Sequence, residues 1–179
     1  MAKNDAAGRG LLTLVLGGGR SGKSRYAESL IKALPRPWFY VATGEAKDAE
    51  MAARIAEHKA RRGVGWQTIE APHDLAGALG KVPAGAPVLI DCLTLWLSNR
   101  MLAETDMDQE IDALEAALSR RIGAVVAVAN EVGAGIVPDN ALARRFRDLQ
   151  GLLNQRIAAR ADRVVLMVAG LPLFVKEPQ

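Results

Sequence analysis

Cysteine is almost missing from this chain of 179 residues: Cys92 stands alone, which excludes an intrachain disulfide and a zinc site built on thiolates. Its place within an apolar run predicts a buried, inert thiol. No apolar stretch is long enough to span a bilayer, and Met1 to Gly10 lacks the hydrophobic centre of a secretion signal, so a cytoplasmic protein is expected. No Pro/Gly/Ser-rich linker or internal repeat divides the sequence. One domain over residues 11–179 is therefore expected, with residues 1–10 a disordered extension. Aromatic residues are only 4 % of the total, and Trp38, Trp66 and Trp96 lie in apolar runs rather than among basic residues. They read as core, not as a stacking platform for nucleic acid. A net charge of +3 suits an anionic ligand without demanding a polyanion.

What the chain does have is glycine in one informative place. Gly17, Gly18, Gly19, Arg20, Ser21, Gly22, Lys23 and Ser24 match the phosphate-loop pattern G-x-x-x-x-G-K-[ST] and follow the apolar run Leu11 to Leu16. A buried strand that breaks into such a loop and then a helix points several backbone N–H groups at one spot, where the helix dipole also favours anions. A nucleoside triphosphate is the expected ligand. Lys23 would reach its β- and γ-phosphates, and the Ser24 hydroxyl would ligate Mg²⁺.

Short β-rich runs at Leu11 to Leu16, Trp38 to Ala42, Trp66 to Ile69, Val88 to Asp91, Ala124 to Ala129 and Arg163 to Val168 alternate with helix-periodic segments. This order predicts an α/β fold: a mostly parallel, RecA-like sheet with helices on both faces. In such sheets the ligand lies beyond the carboxyl ends of the strands. The residues to inspect there are the glycine loop, Thr43 to Glu45, Glu70, Asp91, and Asn130 to Gly135.

Asp91 ends the apolar run Val88-Leu89-Ile90. It reads as a carboxylate that holds Mg²⁺ or accepts a proton from an attacking hydroxyl, or else as the cap of a helix beginning near Leu93. Asp48 to Arg62 reads as an amphipathic helix on which Met51, Ile55 and His58 share a face. His58 is either a candidate nucleophile or a satisfied core histidine, and the neighbouring Lys59, Arg61 and Arg62 either clamp phosphates or complement the helix end. Asn130 to Pro138 looks like a binding loop, the helix Asp139 to Arg160 after it carries Arg144, Arg145 and Arg147, and His73 caps or decorates a short helix.

GGGRSGKSRYAE, EMAARIAEHKARR, WQTIEAP, VLIDCLTLW and NEVGAGIVPDNALARRFRDLQGLLNQRIA together resemble the bifunctional adenosylcobinamide kinase/adenosylcobinamide-phosphate guanylyltransferase family, over nearly the whole chain after Gly10. That resemblance implies two reactions: phosphorylation of a hydroxyl of adenosylcobinamide by ATP or GTP, then transfer of GMP from GTP onto the new phosphate. It implies Lys23, Asp91 and His58 as catalytic residues, the last forming a guanylyl-histidine, with Glu57 where relatives can carry a second histidine. It implies a nucleotide site of Gly17 to Ser24 with Ala42, Thr43, Gly44, Lys59, Ala60, Arg61, Arg62, Glu70 and Asp91, and a magnesium site of Ser24 and Asp91. The cations beside His58 would favour its neutral, nucleophilic form. Homotrimers with sites between subunits are also implied, with no nucleic-acid partner. Leu16 and Gly19 depart from the family's usual threonine and alanine, a change expected to leave phosphate binding intact. From residue patterns alone, a simple phosphate-loop kinase of small molecules and a RecA-like ATPase module remain alternatives.

Overall fold

The computed structural model describes residues 10–178. The expected extension thus falls outside the described residues except for Gly10, whose N–H donates to the Arg121 carbonyl at 3.1 Å. The motif strand β1 (Leu12–Gly17) runs through the glycine loop into α1 (Lys23–Lys32). There follow β2 (Trp38–Ala42), α2 (Ala49–Arg61), β3 (Trp66–Glu70), α3 (Leu75–Lys81), β4 (Val88–Asp91), α4 (Leu93–Leu102), α5 (Met107–Ser119), β5 (Val125–Asn130), α6 (Ala141–Arg160), β6 (Arg163–Val168) and β7 (Leu171–Lys176). The strands form one sheet in the order β3-β2-β4-β5-β1-β6-β7. Every neighbouring pair is parallel except β6 with β7.

The expected mostly parallel sheet is borne out, and the reason is visible in the side chains. Alternate residues of the central strands serve opposite faces: Val15, Leu89, Val126 and Val128 pack with Ala27 and Ile31 of α1. Their neighbours Leu14, Ile90 and Ala127 pack with α3, α4, α5 and α6 through Leu79, Trp96, Leu114 and Leu153. Strands covered on both faces need apolar residues at every position, and each fully buried Leu, Ile or Val contributes about 1.5–3 kcal/mol.

Helix starts follow their capping residues. Asp48 accepts the Met51 N–H at 2.7 Å to begin α2, and Asn140 accepts the Ala143 N–H at 2.7 Å to begin α6. Ahead of α3 the cap is Asp74, not His73, and its carboxylate takes the Gly77 N–H at 2.8 Å. Strand β7 had no sequence signal. It pairs with β6 through a turn in which Ala169 (φ 52°) and Gly170 (φ 82°) both take left-handed backbone. Ala-Gly is not the usual hairpin pair, and Pro172 argues against a strand anywhere except an edge, where it sits.

Candidate active site

The glycine loop lies at the carboxyl end of β1 and is shaped by close approach. A Cβ on Gly17 would stand 2.6 Å from Ser21 Oγ and 2.7 Å from the Met167 carbonyl oxygen, and Gly22, the residue before α1, has φ 95°. Neither place accepts a side chain without strain. Lys23 is buried, with its ammonium donating to the Gly18 carbonyl, so the loop folds around it. Burial lowers its proton affinity, opposed by the charge of nearby Asp91.

Asp91 is the hub. Its Oδ1 accepts from Ser24 Oγ at 3.5 Å, its Oδ2 accepts from Tyr40 Oη at 2.8 Å, and the same Oδ2 lies 3.6 Å from His58 Nδ1. Burial pushes its carboxyl up, but hydrogen bonds from His58, Tyr40 and Ser24, with the charge of His58, prevail and leave it below the ordinary carboxylate value. Tyr40 is driven far above its ordinary value by burial and by Asp91, and so remains a donor. Asp91 does not cap α4; Cys92 occupies that position. The Cys92 thiol, pushed up to about 12 by burial and the Asp91 charge, is unreactive, as expected.

Together these groups line a cavity of about 240 Å³ that contains Gly19, Arg20, Lys23, Ser24, Tyr40, Ala42, Gly44, Met51, Ile55, His58, Asp91 and Asn130. It adjoins a second, of about 430 Å³, along Arg20 to Arg25, Glu57 and His58. The helical spacing of Met51, Ile55 and His58 therefore did identify the face of α2 that meets the phosphate loop.

Other expected residues sit elsewhere. Thr43 is fully buried, its hydroxyl donating to the Cys92 carbonyl at 2.7 Å and accepting the Cys92 N–H at 2.8 Å, so it fixes the strand beside Asp91 rather than facing the cavity. Lys59 pairs with Glu70 at 3.1 Å on the exposed rim, and Ala60 is exposed. Arg62 stacks over the Tyr40 ring at 3.5 Å, and the side chain of Arg61 lies outside the described residues. Among the described residues the charged group in contact with His58 is the Asp91 carboxylate, while Lys59 and Arg62 have partners of their own. Arg144 turns back to the carbonyls of Pro138 and Asp139, Arg147 pairs with Asp148, and Arg145 is exposed. His73 lies 3.2 Å from Glu45.

Tyr40 went unmarked because a tyrosine in an apolar strand looks like core. Its only signal is alternation: Tyr40 lies on the α1 side of the sheet with Leu89 and, two residues on, Asp91.

Two hard oxygens, Ser24 Oγ and Asp91 Oδ1, stand side by side at 3.5 Å, wider than the roughly 2.9 Å between adjacent oxygens of an octahedral magnesium shell, so both would reach one ion only by closing slightly or with one acting through a water. Among the described residues no group of three or more His, Cys, Asp or Glu gathers for a metal. A divalent ion at this pair would complete its shell with phosphate and water oxygens.

Residues 13–175 match the family described as cobinamide kinase / cobinamide phosphate guanyltransferase. The chain is 47% identical over 166 residues to the bifunctional adenosylcobalamin biosynthesis protein CobP of Pseudomonas aeruginosa, covering 91% of this chain and 96% of that one. It is 42% identical over 182 residues to the bifunctional adenosylcobalamin biosynthesis protein CobU of Salmonella typhimurium, covering 93% and 100%. A solved structure from Pyrococcus horikoshii shares the fold at TM-score 0.56 and 10% identity, over 96% of this chain and 88% of that chain.

Proposed function

We propose, on the premise that this chain belongs to the cobinamide kinase / cobinamide phosphate guanyltransferase family, that it performs both reactions around Asp91. It phosphorylates a hydroxyl of adenosylcobinamide with ATP or GTP, then moves GMP from GTP onto that phosphate, giving adenosylcobinamide-GDP and pyrophosphate.

In the first reaction the glycine loop and Lys23 hold the β- and γ-phosphates, where the helix dipole and the buried ammonium stabilise the charge of the transferring group. Ser24 and Asp91 Oδ1 would hold Mg²⁺, which when bound neutralises phosphate charge. The substrate hydroxyl oxygen bonds to the γ-phosphorus as the bond to the nucleoside diphosphate breaks.

In the second, His58 is the nucleophile. With Nδ1 turned to Asp91, Nε2 is left to attack the α-phosphorus of GTP; the Nε2–P bond forms and pyrophosphate leaves with the electron pair. Asp91 Oδ2 steadies the positive imidazole that results, as a carboxylate orients histidine in other covalent catalysts. An oxygen of the substrate phosphate then displaces the histidine. Ala42 and Gly44 line the cavity that takes the nucleotide, and Arg62 backs its wall by stacking over Tyr40.

The observation that carries this reading is the contact of 3.6 Å between His58 Nδ1 and Asp91 in a cavity shared with Lys23 and Ser24. The test is incubation with GTP labelled at the α-phosphate: an acid-labile, alkali-stable adduct on His58 is expected, and no adduct on GTP-saturated protein overturns guanylyl transfer.

A homotrimer in the cytoplasm belongs to the same proposal. Supporting it, β7 presents Leu171, Leu173, Phe174 and Val175 to solvent at a sheet edge, the kind of surface that neighbouring copies cover. No helix among the described residues is long and apolar enough to cross a membrane.

A further inference from the structure

Strand β5 lies between β4, which ends in Asp91, and β1, which ends in the glycine loop. Its last residue, Asn130, pairs in register with Gly17 and sits two residues beyond Val128, the partner of Asp91. Val128 faces α1, so strand alternation turns the Asn130 side chain to that face too, and it lines the cavity with Lys23, Ser24, His58 and Asp91. Its backbone is held at both ends. Its N–H donates to Thr94 Oγ1 at 2.7 Å, and its carbonyl accepts from Asn154 Nδ2 at 3.1 Å. Asn154 Oδ1 in turn accepts from Gln150 Nε2 at 2.8 Å. Thr94, Asn154 and Gln150 are all buried, on α4 and α6.

Apolar residues would fill that space without the desolvation that polar side chains incur. What three polar residues add is a fixed position for one strand end. All their bonds go to main chain or to one another, while no bond between described residues engages the Asn130 carboxamide. A carboxamide on a backbone so held, lining one cavity with Lys23, Ser24 and Asp91, is placed to donate to a phosphoryl oxygen bound there.

We propose that Asn130 is a further catalytic residue of the kinase step, its Nδ2 donating to a γ-phosphoryl oxygen as the hydroxyl oxygen–phosphorus bond forms and the bond to the nucleoside diphosphate breaks. The hydroxyl proton leaves to solvent. Thr94, Asn154 and Gln150 are positioning residues that act through it. In guanylyl transfer the γ-phosphate departs within pyrophosphate, so the same contact matters less there. This inference rests on the bifunctional reading above.

The test compares both half-reactions in Asn130→Ala and the isosteric Asn130→Asp. The kinase kcat should fall about 100-fold or more in each, as for loss of one transition-state donor, with the nucleotide KM shifted less than about threefold. Labelling by α-labelled GTP should slow at least tenfold less than the kinase. Equal losses in both half-reactions, a loss confined to KM, or a wild-type kcat in Asn130→Asp would each overturn the assignment. If the wild-type protein itself fails to phosphorylate adenosylcobinamide, it is the bifunctional reading that fails. Asn130→Asp keeps shape and backbone bonds, so a folding defect in Asn130→Ala leaves the test intact.

Discussion

His58 Nδ1 lies 3.6 Å from Asp91 Oδ2, while the other oxygen of the same carboxylate faces Ser24 Oγ at 3.5 Å. One side chain thus joins the serine of the glycine loop to the histidine proposed as the nucleophile. His58→Ala should abolish the GMP adduct while keeping a measurable part of the kinase rate. Asp91→Asn should lower both rates about 100-fold or more, because it removes a charge that serves each. The two half-reactions assayed separately check this, and a GMP adduct at the wild-type rate in His58→Ala would exclude that residue as the nucleophile.

The legible parts of this chain were those that one backbone rule dictates. The glycine loop had to follow a strand, the apolar runs had to be strands covered on both faces, and Met51, Ile55 and His58 had to share a face of α2. Spacing could not tell which of the residues after each strand turn inward: Thr43 lies next to Gly44 in sequence, yet it closes on Cys92 while Gly44 opens to the cavity. Nor could it pair Lys59 with Glu70 rather than with a ligand, since that choice is made where β3 ends against the end of α2. Tyr40 was hidden because only its hydroxyl is polar, and β7 because its turn lacks the usual residues.

Lys23 holds a positive charge inside the protein before any phosphate arrives. Burial penalises that charge, and Asp91 and the Gly18 carbonyl are among the groups that offset it. Lys23→Met keeps the length and drops the charge. It should lower kinase turnover about 1,000-fold while leaving the melting temperature of the nucleotide-free protein equal to or above that of the wild type. Kinetic assay and thermal denaturation report the two effects independently, and wild-type turnover would refute the phosphate role.

Gly22 takes φ 95° just ahead of α1, and a Cβ there would stand 3.3 Å from Gly170 Cα in the β6/β7 turn. Gly22→Ala should cost about 1–2 kcal/mol, which for a chain of this size lowers the melting temperature by roughly 2–8 °C. Relieving the strain moves the loop N–H groups, so nucleotide affinity should fall at least tenfold. Calorimetric titration with GTP measures it, and unchanged affinity would show that the loop tolerates the side chain.

Far from the cavity, buried Glu115 on α5 accepts from Arg156 Nε at 2.9 Å and pairs with Arg160 Nη2 at 2.8 Å, tying α5 to α6. The hydrogen bond from Arg156, opposed by burial and helped by Arg160, holds its carboxyl below the ordinary 4.5. A carboxyl depressed in the folded state contributes its full stability above its unfolded value and loses it as pH falls through the folded value. Glu115→Gln should therefore destabilise the protein by about 2 kcal/mol at pH 7, the worth of hydrogen bonds to a charged group discounted for partly exposed arginines. The gap to wild type should hold steady down to about pH 5 and narrow below pH 4.5, where the unfolded carboxyl takes up its proton. Urea unfolding of both proteins between pH 7 and pH 3 tests this, and a gap that stays constant across that range would assign the effect to packing rather than to the ionised carboxylate.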